Sequence, residues 1–541
     1  MPLAPAEPAE PAEPGPSPGN GGIAAVIVLA AGAGTRMRSQ LPKVLHPLAG
    51  KPLLWHALSA AAGVAPRQLV AVLGHGRDDV TTYLAGAADL PRVTTAIQEE
   101  QRGTGHACAC ALAVTGELSG TVLVTYGDVP LLRTSTLLAL ATEHTTSGNA
   151  VTVLTAQLEN PTGYGRITRD PTGQVTGVVE QKDADAQQCE IREINSGVYA
   201  FEASVLADAL GRLSDANAAG EQYLTDVVGI AHGDGLRVGA VQVPEAVETE
   251  GVNDRVQLSE LARVLNARLV RHAQLAGVTV HDPGTTWIHA DVTIGPDTEI
   301  LPGTQLQAGT AIGSGASVGP DTTLIACTVG DGASVIRSHC HSATIGARAS
   351  VGPFTYLRPG AVLAEGSKVG AYVEVKNSTV GPGSKVPHLS YIGDTTIGTG
   401  SNIGAGTITA NYDGDHKFAT VIGDRSFIGS NSTLVAPVTI HDGGYVAAGS
   451  TVTTDVGPGD LAVARGRQRD VTGWTVRRRP ASASAAAASL ALAARQTTSD
   501  PAEFGPANPA RTSGSQPLTP MATTPTSSTG NTTPAEGDQP A

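Results

Sequence analysis

The 541-residue sequence is poor in aromatic residues, in cysteine and in positive charge. Phe, Trp and Tyr make up only 3% of it, which disfavours an aromatic-rich core. The five cysteines are too few and too scattered for a disulfide framework, and Cys108 and Cys110 have no second cluster with which to complete a zinc site. Lys and Arg number 35 against 49 Asp and Glu, a formal charge of −14. Such a chain repels polyanions, so we expect no nucleic-acid partner, although a few cations can still be focused on small phosphates in a cleft.

Long apolar runs are absent as well. No segment approaches the ~20 consecutive apolar residues of a membrane helix. The first basic residue is Arg36, which comes too late for the basic start of a secretory signal. We therefore expect no membrane insertion and a cytoplasmic location.

Composition divides the chain into five parts. Residues 1–21 repeat Ala, Glu and Pro and are predicted to be a disordered extension. Residues 479–541 are rich in Ala, Pro, Thr and Ser and are predicted to be a second disordered, low-complexity tail, in which a helix over 483–494 stays possible. The working protein is expected between these two tails.

Residues 22–253 have the pattern of an α/β domain. The short apolar runs at 23–29, 69–73 and 122–124 do not alternate, as expected for strands that are covered on both faces. Segments with helical spacing separate them. This order predicts a Rossmann-like, mostly parallel sheet that binds ligands at the carboxyl ends of its strands.

Residues 254–276 change to a helical period. Val256, Leu261, Leu265 and Leu269 recur at four- or five-residue steps between charged residues. This pattern predicts one amphipathic helix of about 20 residues, hence about 30 Å, which joins the two halves of the protein.

Residues 277–478 have a period of six. An aliphatic residue recurs through this region, very often followed by Gly, and the sequence as a whole holds 65 Gly. A flexible Gly-rich region does not explain such regular aliphatic positions. The pattern predicts a parallel β-helix in which three hexads close one triangular coil, with a loop leaving it at 409–421. Clear runs of the series are Ile294, Ile300, Leu306, Ile312, Val318 and Leu324, and later Ile345, Val351, Leu357, Leu363, Val369 and Val375.

Candidate chemistry begins in the turn that follows the first strand. Residues 29–37 read LAAGAGTRM and lie between a strand and a helix-like stretch. Backbone N–H groups in such a turn can hold phosphate oxygens, and Arg36 can neutralise them. Lys43 supplies a second cation; the alternative for it is a solvated surface lysine.

This turn, together with Leu41-Pro42-Lys43, resembles the nucleotidyltransferases that activate sugar 1-phosphates. In that family the aspartate corresponding to Asp128, within Tyr126-Gly127-Asp128-Val129-Pro130, holds Mg²⁺. The resemblance further implies a UTP and sugar-phosphate site made of Leu29, Ala30, Ala31, Gly32, Gln98, Gly103, Thr104, Tyr126, Gly127, Asp128, Gly165, Glu180, Asn195 and Asn253.

With the hexapeptide half attached, residues 22–476 resemble the bifunctional N-acetylglucosamine-1-phosphate uridylyltransferase / glucosamine-1-phosphate N-acetyltransferase family. The resemblance implies a left-handed parallel β-helix and a homotrimer. It also implies two reactions: acetyl transfer from acetyl-CoA to glucosamine 1-phosphate, and then uridylyl transfer from UTP to N-acetylglucosamine 1-phosphate. In the second reaction Arg36 and Lys43 are expected to steady the triphosphate. Asp128 and Asn253 are expected to hold Mg²⁺ through oxygen ligands, as a hard cation prefers. The alternatives are a turn carboxylate for Asp128 and a cap of the linker helix for Asn253.

The acetyl-transfer site is predicted around His388. Polar residues on neighbouring coils distinguish His388 from a structural histidine: Arg358, Glu374, Lys376, Tyr391 and Asn402. Since one coil spans about 18 residues, Arg358 and Lys376 should stack, which suggests an anion between them; the alternative is solvated surface charge. By resemblance His388 is the general base, and Glu374 is a candidate to orient it. The acetyl-CoA contacts implied by the resemblance are Ala405, Asn411, Tyr412, Ser430, Ala448 and Arg465.

Three other interpretations stay open on the sequence. The β-helix could be only an assembly element of a single-activity sugar nucleotidyltransferase. The chain could be a non-catalytic scaffold with degenerate sites. The enzyme could also act on another base or sugar, since only the resemblance favours uracil.

Overall fold

The computed structural model describes residues 22–497. The predicted disorder of residues 1–21, and that of the tail beyond residue 497, lies outside the described residues. The described start of the C-terminal tail contains a helix, Ala483–Thr497, at the place where the sequence left one possible. With the helix Trp474–Arg478 it belongs to a unit that begins at Gly466 and is separate from the rest of the chain.

The N-terminal half is built on one nine-stranded sheet. Its central path is mostly parallel, and Glu193–Glu202 is the strand that runs antiparallel to both of its neighbours on that path. Apolar side chains fill both faces of the sheet, which explains why its strands show no alternation in sequence. Along the path the strands are Val238–Gln242, Val151–Gln157, Glu193–Glu202, Thr121–Tyr126, Ala25–Ala30, Gln68–Leu73 and Thr94–Ile97, with Arg166–Arg169 and Val175–Val179 paired beside it.

Helices cover the two faces of this sheet. A two-stranded hairpin, Pro47–Leu48 with Lys51–Pro52, precedes the first of them. The α-helices are Leu53–Ala62, Arg77–Gly86, Thr104–Thr115, Thr134–Thr146, Ala186–Cys189, Ala203–Leu210 and Asp226–Gly233, and the 3₁₀ turns are Thr35–Met37, Lys43–Leu45 and Ala246–Thr249.

A 21-residue helix, Arg255–Leu275, joins the two halves. The side chain of Asp254 caps its N-terminus by accepting from the N–H groups of Val256 and Gln257. Midway along the helix, the buried Asn266 exchanges hydrogen bonds with the backbone of the first coil of the β-helix, at Thr286 and Ile288. These contacts fix the helix to the β-helix.

The C-terminal half is a β-helix whose three parallel sheets each run along one face. The first face holds Thr279–Val280, Glu299–Ile300, Ser317–Val318, Ser334–Val335, Ser350–Val351, Lys368–Ala371, Lys385–His388, Asn402–Ile403, Phe427–Ile428, Tyr445–Val446 and Leu461–Ala462. The second holds Trp287–Ile288, Gln305–Gln307, Thr323–Ile325, His339–His341, Tyr356–Leu357, Glu374–Lys376, Tyr391–Gly393, Ile408–Ala410, Thr433–Val435 and Thr451–Val452. The third holds Thr293–Ile294, Ala311–Ile312, Thr328–Val329, Thr344–Ile345, Val362–Leu363, Thr379–Val380, Thr395–Ile397, Thr420–Ile422 and Val438–Ile440.

The aliphatic residues of the hexads form the core of this half, as the period of six predicts. Cys340 fills an interior position that the aliphatic pattern leaves out, and it is fully buried. The loop predicted at 409–421 leaves the coil after Ala410 and returns at Thr420. Among residues 22–497, no helix has the length and apolar character that crossing a membrane requires.

Candidate active sites

The first candidate site lies at the carboxyl ends of two neighbouring parallel strands. Leu29, near the end of Ala25–Ala30, pairs with Tyr126, the last residue of Thr121–Tyr126. The N–H of Gly127 then donates to the carbonyl of Leu29 at 2.9 Å, which extends the pairing by one step. The turn that begins at Ala31 and the loop that carries Asp128 therefore leave the sheet side by side.

A cavity of about 280 Å³ opens between these two loops. The buried Gln98 forms part of its wall and donates through Nε2 to the carbonyl of Gly103 at 3.0 Å. Gly103 has a φ of 105°, and a Cβ there would come within 2.5 Å of the carbonyl of Gln222, so this turn requires glycine. Gly127 and Arg36 do not line this cavity, whereas Lys43 and nine residues of the predicted UTP and sugar-phosphate site do: Leu29, Ala30, Ala31, Gly32, Gln98, Gly103, Thr104, Tyr126 and Asp128.

A second cavity, of about 380 Å³, lies next to the first, and Tyr126 lines both. Three residues of the predicted sugar-phosphate site line it, namely Gly165, Glu180 and Asn195, and so does the predicted metal ligand Asn253. Arg36 lines this cavity rather than the first, so the structure separates it from Lys43 along the cleft. Burial raises the pKa of the Glu180 carboxyl, and the nearby carboxylates of Asp183 and Asp226 raise it further.

The buried side chain of Arg166 supports the loop beside this second cavity. Its guanidinium donates to the carbonyl of Tyr164 and, at 2.8 Å, to Oε1 of Gln181. The same Gln181 oxygen accepts from the N–H of Gly163 at 3.0 Å. Arg166 thus holds the 163–165 turn that forms one wall of the cavity.

Lys43 connects the two predicted metal ligands. Its ammonium donates to a carboxylate oxygen of Asp128 and lies 3.5 Å from Oδ1 of Asn253. The N–H of Val252 donates to the carbonyl of Asp128 at 2.9 Å, which places Asn253 beside Asp128. Since Asp254 caps the linker helix, the alternative role for Asn253 as that cap is wrong.

The donor set fits a hard divalent cation. One carboxylate and one amide oxygen approach the same cationic group, and oxygen donors of this kind are what Mg²⁺ prefers. Across the described part of the chain, no group of three or more His, Cys, Asp or Glu side chains could hold a metal by itself. Mg²⁺ normally takes one or two protein oxygens and completes its shell with substrate phosphates and water, so two ligands suffice.

The second candidate site follows a column of residues at the end of the first face of the β-helix. Ala371 pairs with His388, and the carbonyl of His388 accepts from the N–H of Gly406 at 3.3 Å. The column continues through Ala405, whose carbonyl accepts from Asn431, and Ser430, whose carbonyl accepts from Gly449. His388, Ala405, Ser430 and Ala448 therefore occupy equivalent positions on successive coils, and Arg465 lies over Gly449 beside the last of them.

Two cations lie at the end of the neighbouring second face. Leu357 pairs with Val375, which sets Arg358 beside Lys376 on the next coil, as the repeat length predicts. Each cation has a carboxylate partner: Arg358 donates to Glu374 at 2.8 Å, and Lys376 donates to Asp394 at 3.1 Å. Both cations therefore already have a carboxylate partner, and the binding of a phosphate anion between them stays a prediction.

Glu374 forms an ion pair with Arg358. In the part of the chain that the structure describes, no hydrogen bond joins Glu374 to His388, and the imidazole of His388 is exposed. Tyr391 pairs with Glu374, so it lies next to the ion pair of Glu374 and Arg358. Asn402 begins the strand of the first face that follows the strand of His388.

Asp394 is a residue that the sequence did not single out. Burial acts to raise the pKa of its carboxyl, but hydrogen bonds from Asn377, Lys376 and Asn411 outweigh burial and lower the pKa. Asn411 is buried by this contact, whereas Tyr412, the next residue of the excursion loop, is 59% exposed. Three further lining residues belong to no recognisable motif and were not predicted: Gln101 and Glu221 line the first cavity, and Gln257 lines the second.

Comparison with known proteins agrees with this two-part architecture. The family described as MobA-like NTP transferase domain matches residues 26–191, and bacterial transferase hexapeptide (six repeats) matches residues 419–454. A bifunctional protein GlmU of Kineococcus radiotolerans is 56% identical over 86% of this chain and 95% of that protein. Those of Corynebacterium glutamicum and Streptomyces avermitilis are each 54% identical over 86% of this chain and 97% of theirs. With such identity over nearly the whole length of these relatives, the chain belongs to the family of bifunctional GlmU proteins.

Proposed function

We propose that this enzyme makes UDP-N-acetylglucosamine in two steps at the two sites described above. It is a bifunctional acetyltransferase and uridylyltransferase. The β-helix transfers an acetyl group from acetyl-CoA to glucosamine 1-phosphate, and the α/β domain then joins the product to the uridylyl group of UTP. The observation that carries the first site is the convergence of Lys43, Asp128 and Asn253 between two adjoining cavities.

In the uridylyl step the two cavities would hold the two substrates. The uracil and triphosphate of UTP would occupy the cavity bounded by Gln98 and Gly103, and the sugar phosphate the cavity bounded by Glu180 and Asn195. A phosphate oxygen of the sugar attacks the α-phosphorus of UTP, and pyrophosphate leaves. Because a phosphate monoester is already anionic at neutral pH, this step needs no general base, and its barrier is mainly electrostatic.

The cations of the α/β site would stabilise the charge that develops in this step. Lys43 lies in the nucleotide-side cavity and Arg36 in the sugar-side cavity, so they would contact the phosphates from two sides. Asp128 and Asn253 would hold Mg²⁺, which supplies charge neutralisation of the transferring phosphate when bound.

In the acetyl step His388 would act as the general base. It takes a proton as the amine of glucosamine 1-phosphate attacks the thioester carbonyl. The C–S bond then breaks, and the same proton passes to the departing sulfur, which leaves as the thiol of CoA. The imidazole is exposed beside the column of Ala405, Ser430 and Ala448, along which acetyl-CoA would lie. Histidine is the side chain that most often serves as a general base in proton transfers of this kind. Arg358, Lys376, Tyr391 and Asn402 would bind the amino-sugar phosphate, and Asn411, Tyr412 and Arg465 would complete the acetyl-CoA site.

The β-helix is further proposed to assemble into a homotrimer. Three apolar side chains stand out on the corner next to His388: Phe354 is 52% exposed, and Tyr372 and Leu389 are each 61% exposed. The rings of Phe354 and Tyr372 stack at 5.3 Å between centroids. A second copy packed on this corner would cover these side chains and close the open side of the His388 site.

A cytoplasmic location stays a prediction from the sequence.

Two assays on the full chain test the assignment. Free thiol should appear from acetyl-CoA only when glucosamine 1-phosphate is present, and pyrophosphate should appear from UTP and N-acetylglucosamine 1-phosphate. Absence of thiol release would favour a nucleotidyltransferase whose β-helix only assembles the protein. Absence of both products would favour a non-catalytic scaffold. A panel of nucleoside triphosphates and sugar phosphates measures the selectivity.

A further inference from the structure

The carboxylate of Asp394 accepts hydrogen bonds from side chains on the coil before its own and on the coil after it. Its Oδ1 accepts from Lys376 at 3.1 Å and from the amide of Asn377 at 2.7 Å. Its Oδ2 accepts from Lys376 at 3.1 Å and from the amide of Asn411. The side chain of Asp394 is only 13% exposed and that of Lys376 only 19%, so water competes weakly for these bonds.

Two of these donors, Lys376 and Asn411, have different predicted roles. Lys376 is a proposed ligand of the amino-sugar phosphate, and Asn411 is a proposed ligand of acetyl-CoA. Lys376 has a long flexible stem, and Asn411 begins the loop that leaves the coil before Thr420. The backbone alone does not fix the position of either side chain. Asp394 forms hydrogen bonds with both of them.

We infer that Asp394 is a positioning residue of the acetyl-transfer site, one that sets the Lys376 ammonium and the Asn411 amide together and so serves the binding of both substrates. This inference rests on the proposed acetyl-transfer function. Asp394 acts through these two side chains rather than on the reacting atoms, so its loss should weaken binding of both substrates.

The backbone at Asp394 limits which variants are informative. Its φ is 49°, in the left-handed region, which Gly, Asn and Asp tolerate and which Ala adopts only with added strain. Asp321 offers a matched control: it lies on the same β-helix, has a φ of 48°, and forms an ion pair with Arg337 at 3.6 Å. Asp321→Ala therefore reproduces the backbone strain and the loss of an ion pair away from the site.

The experiment compares Asp394→Ala with Asp321→Ala in the full chain. We expect Asp394→Ala to raise the KM for glucosamine 1-phosphate and the Kd for acetyl-CoA, measured by calorimetry, by about tenfold each, the change that loss of one charge-assisted hydrogen bond produces. Uridylyl transfer should match that of Asp321→Ala. Equal values of this KM and this Kd in the two variants would overturn the inference. A rise in only one of them would also overturn it, because a residue that positions both Lys376 and Asn411 must affect the binding of both substrates.

A second variant covers the case in which Asp394→Ala melts earlier than its control. Asn tolerates the left-handed region, and in either orientation of its amide Asp394→Asn removes the charged partner of Lys376. The KM for glucosamine 1-phosphate should rise in this variant too, and an unchanged KM would contradict the inference. Failure of the proposed function has a different signature: the wild-type chain itself would neither release thiol nor bind acetyl-CoA.

Discussion

Replacing Lys43 with Met should reduce uridylyl transfer strongly and leave acetyl transfer intact. The Lys43 side chain is 12% exposed and that of its partner Asp128 is 18% exposed, so solvent screens this ammonium only in part. For a pair of charges about 4 Å apart at an effective dielectric constant of about 20, the interaction is about 4 kcal/mol. Loss of one preorganised donor typically costs about 3–4 kcal/mol of barrier, in agreement with this value. The expected loss in kcat is therefore between about 100-fold and 1000-fold.

The assay is pyrophosphate release from UTP and N-acetylglucosamine 1-phosphate. Lys51→Met is the matched control, because Lys51 lies in the same domain and is held by Asp89 at 2.9 Å and Asp291 at 3.3 Å, away from both cavities. Its kcat should stay close to the wild-type value. If Lys43→Met keeps a tenth or more of the wild-type rate, roughly a 1.4 kcal/mol effect or less, the electrostatic role assigned to Lys43 is refuted.

Three further outcomes are expected in the α/β domain. Gly34→Ala should lower uridylyl kcat without a change of charge, because a Cβ at Gly34 would lie 2.6 Å from Cβ of Lys43 and its φ is 60°; a normal rate would argue against a required position for Lys43. Asp128→Asn should raise the Mg²⁺ concentration that half-saturates uridylyl transfer, and an unchanged Mg²⁺ titration would remove Asp128 from the metal site. Glu180→Gln should raise the free energy of unfolding at pH 7, because burial raises the pKa of Glu180 and so disfavours its ionised form in the folded state. This gain should shrink as the pH falls towards the ordinary pKa of a glutamate, and a pH-independent gain in urea unfolding would show another cause.

The sequence predicted the β-helix well because its coil has a strict physical period. One side chain per hexad must point into the narrow core, so Leu357, Leu363 and Val369 recur at six-residue steps and are buried. The same regularity placed Arg358 beside Lys376, since their spacing equals one coil.

Side-chain partners across coils were not predictable in the same way. The spacing from Asn377 to Asp394 is 17 residues, and that from Arg358 to Glu374 is 16, so partners do not follow one fixed interval. A carboxylate at a coil corner such as Asp394 looks like an ordinary turn residue in sequence. Its contacts with Lys376, Asn377 and Asn411 appear only when the three coils are stacked.

In the α/β domain, motifs predicted the cavity walls because they sit where strands end. Gln101 shows the limit of this reasoning. It belongs to no motif, yet its Nε2 donates to the carbonyl of Ala31 at 2.6 Å and so supports the turn that follows Ala25–Ala30. Such a contact depends on the packing of the loop after Thr94–Ile97, which local sequence does not specify.

Two independent sites on one chain are the central claim, and complementation tests it most directly. His388→Ala should abolish acetyl transfer alone, and Asp128→Ala should abolish uridylyl transfer alone, so neither protein makes UDP-N-acetylglucosamine from glucosamine 1-phosphate, acetyl-CoA and UTP. A mixture of the two proteins should make it, because the acetylated intermediate can pass from one protein to the other. A mixture that yields no UDP-N-acetylglucosamine, or either single variant that loses both activities, would contradict the account.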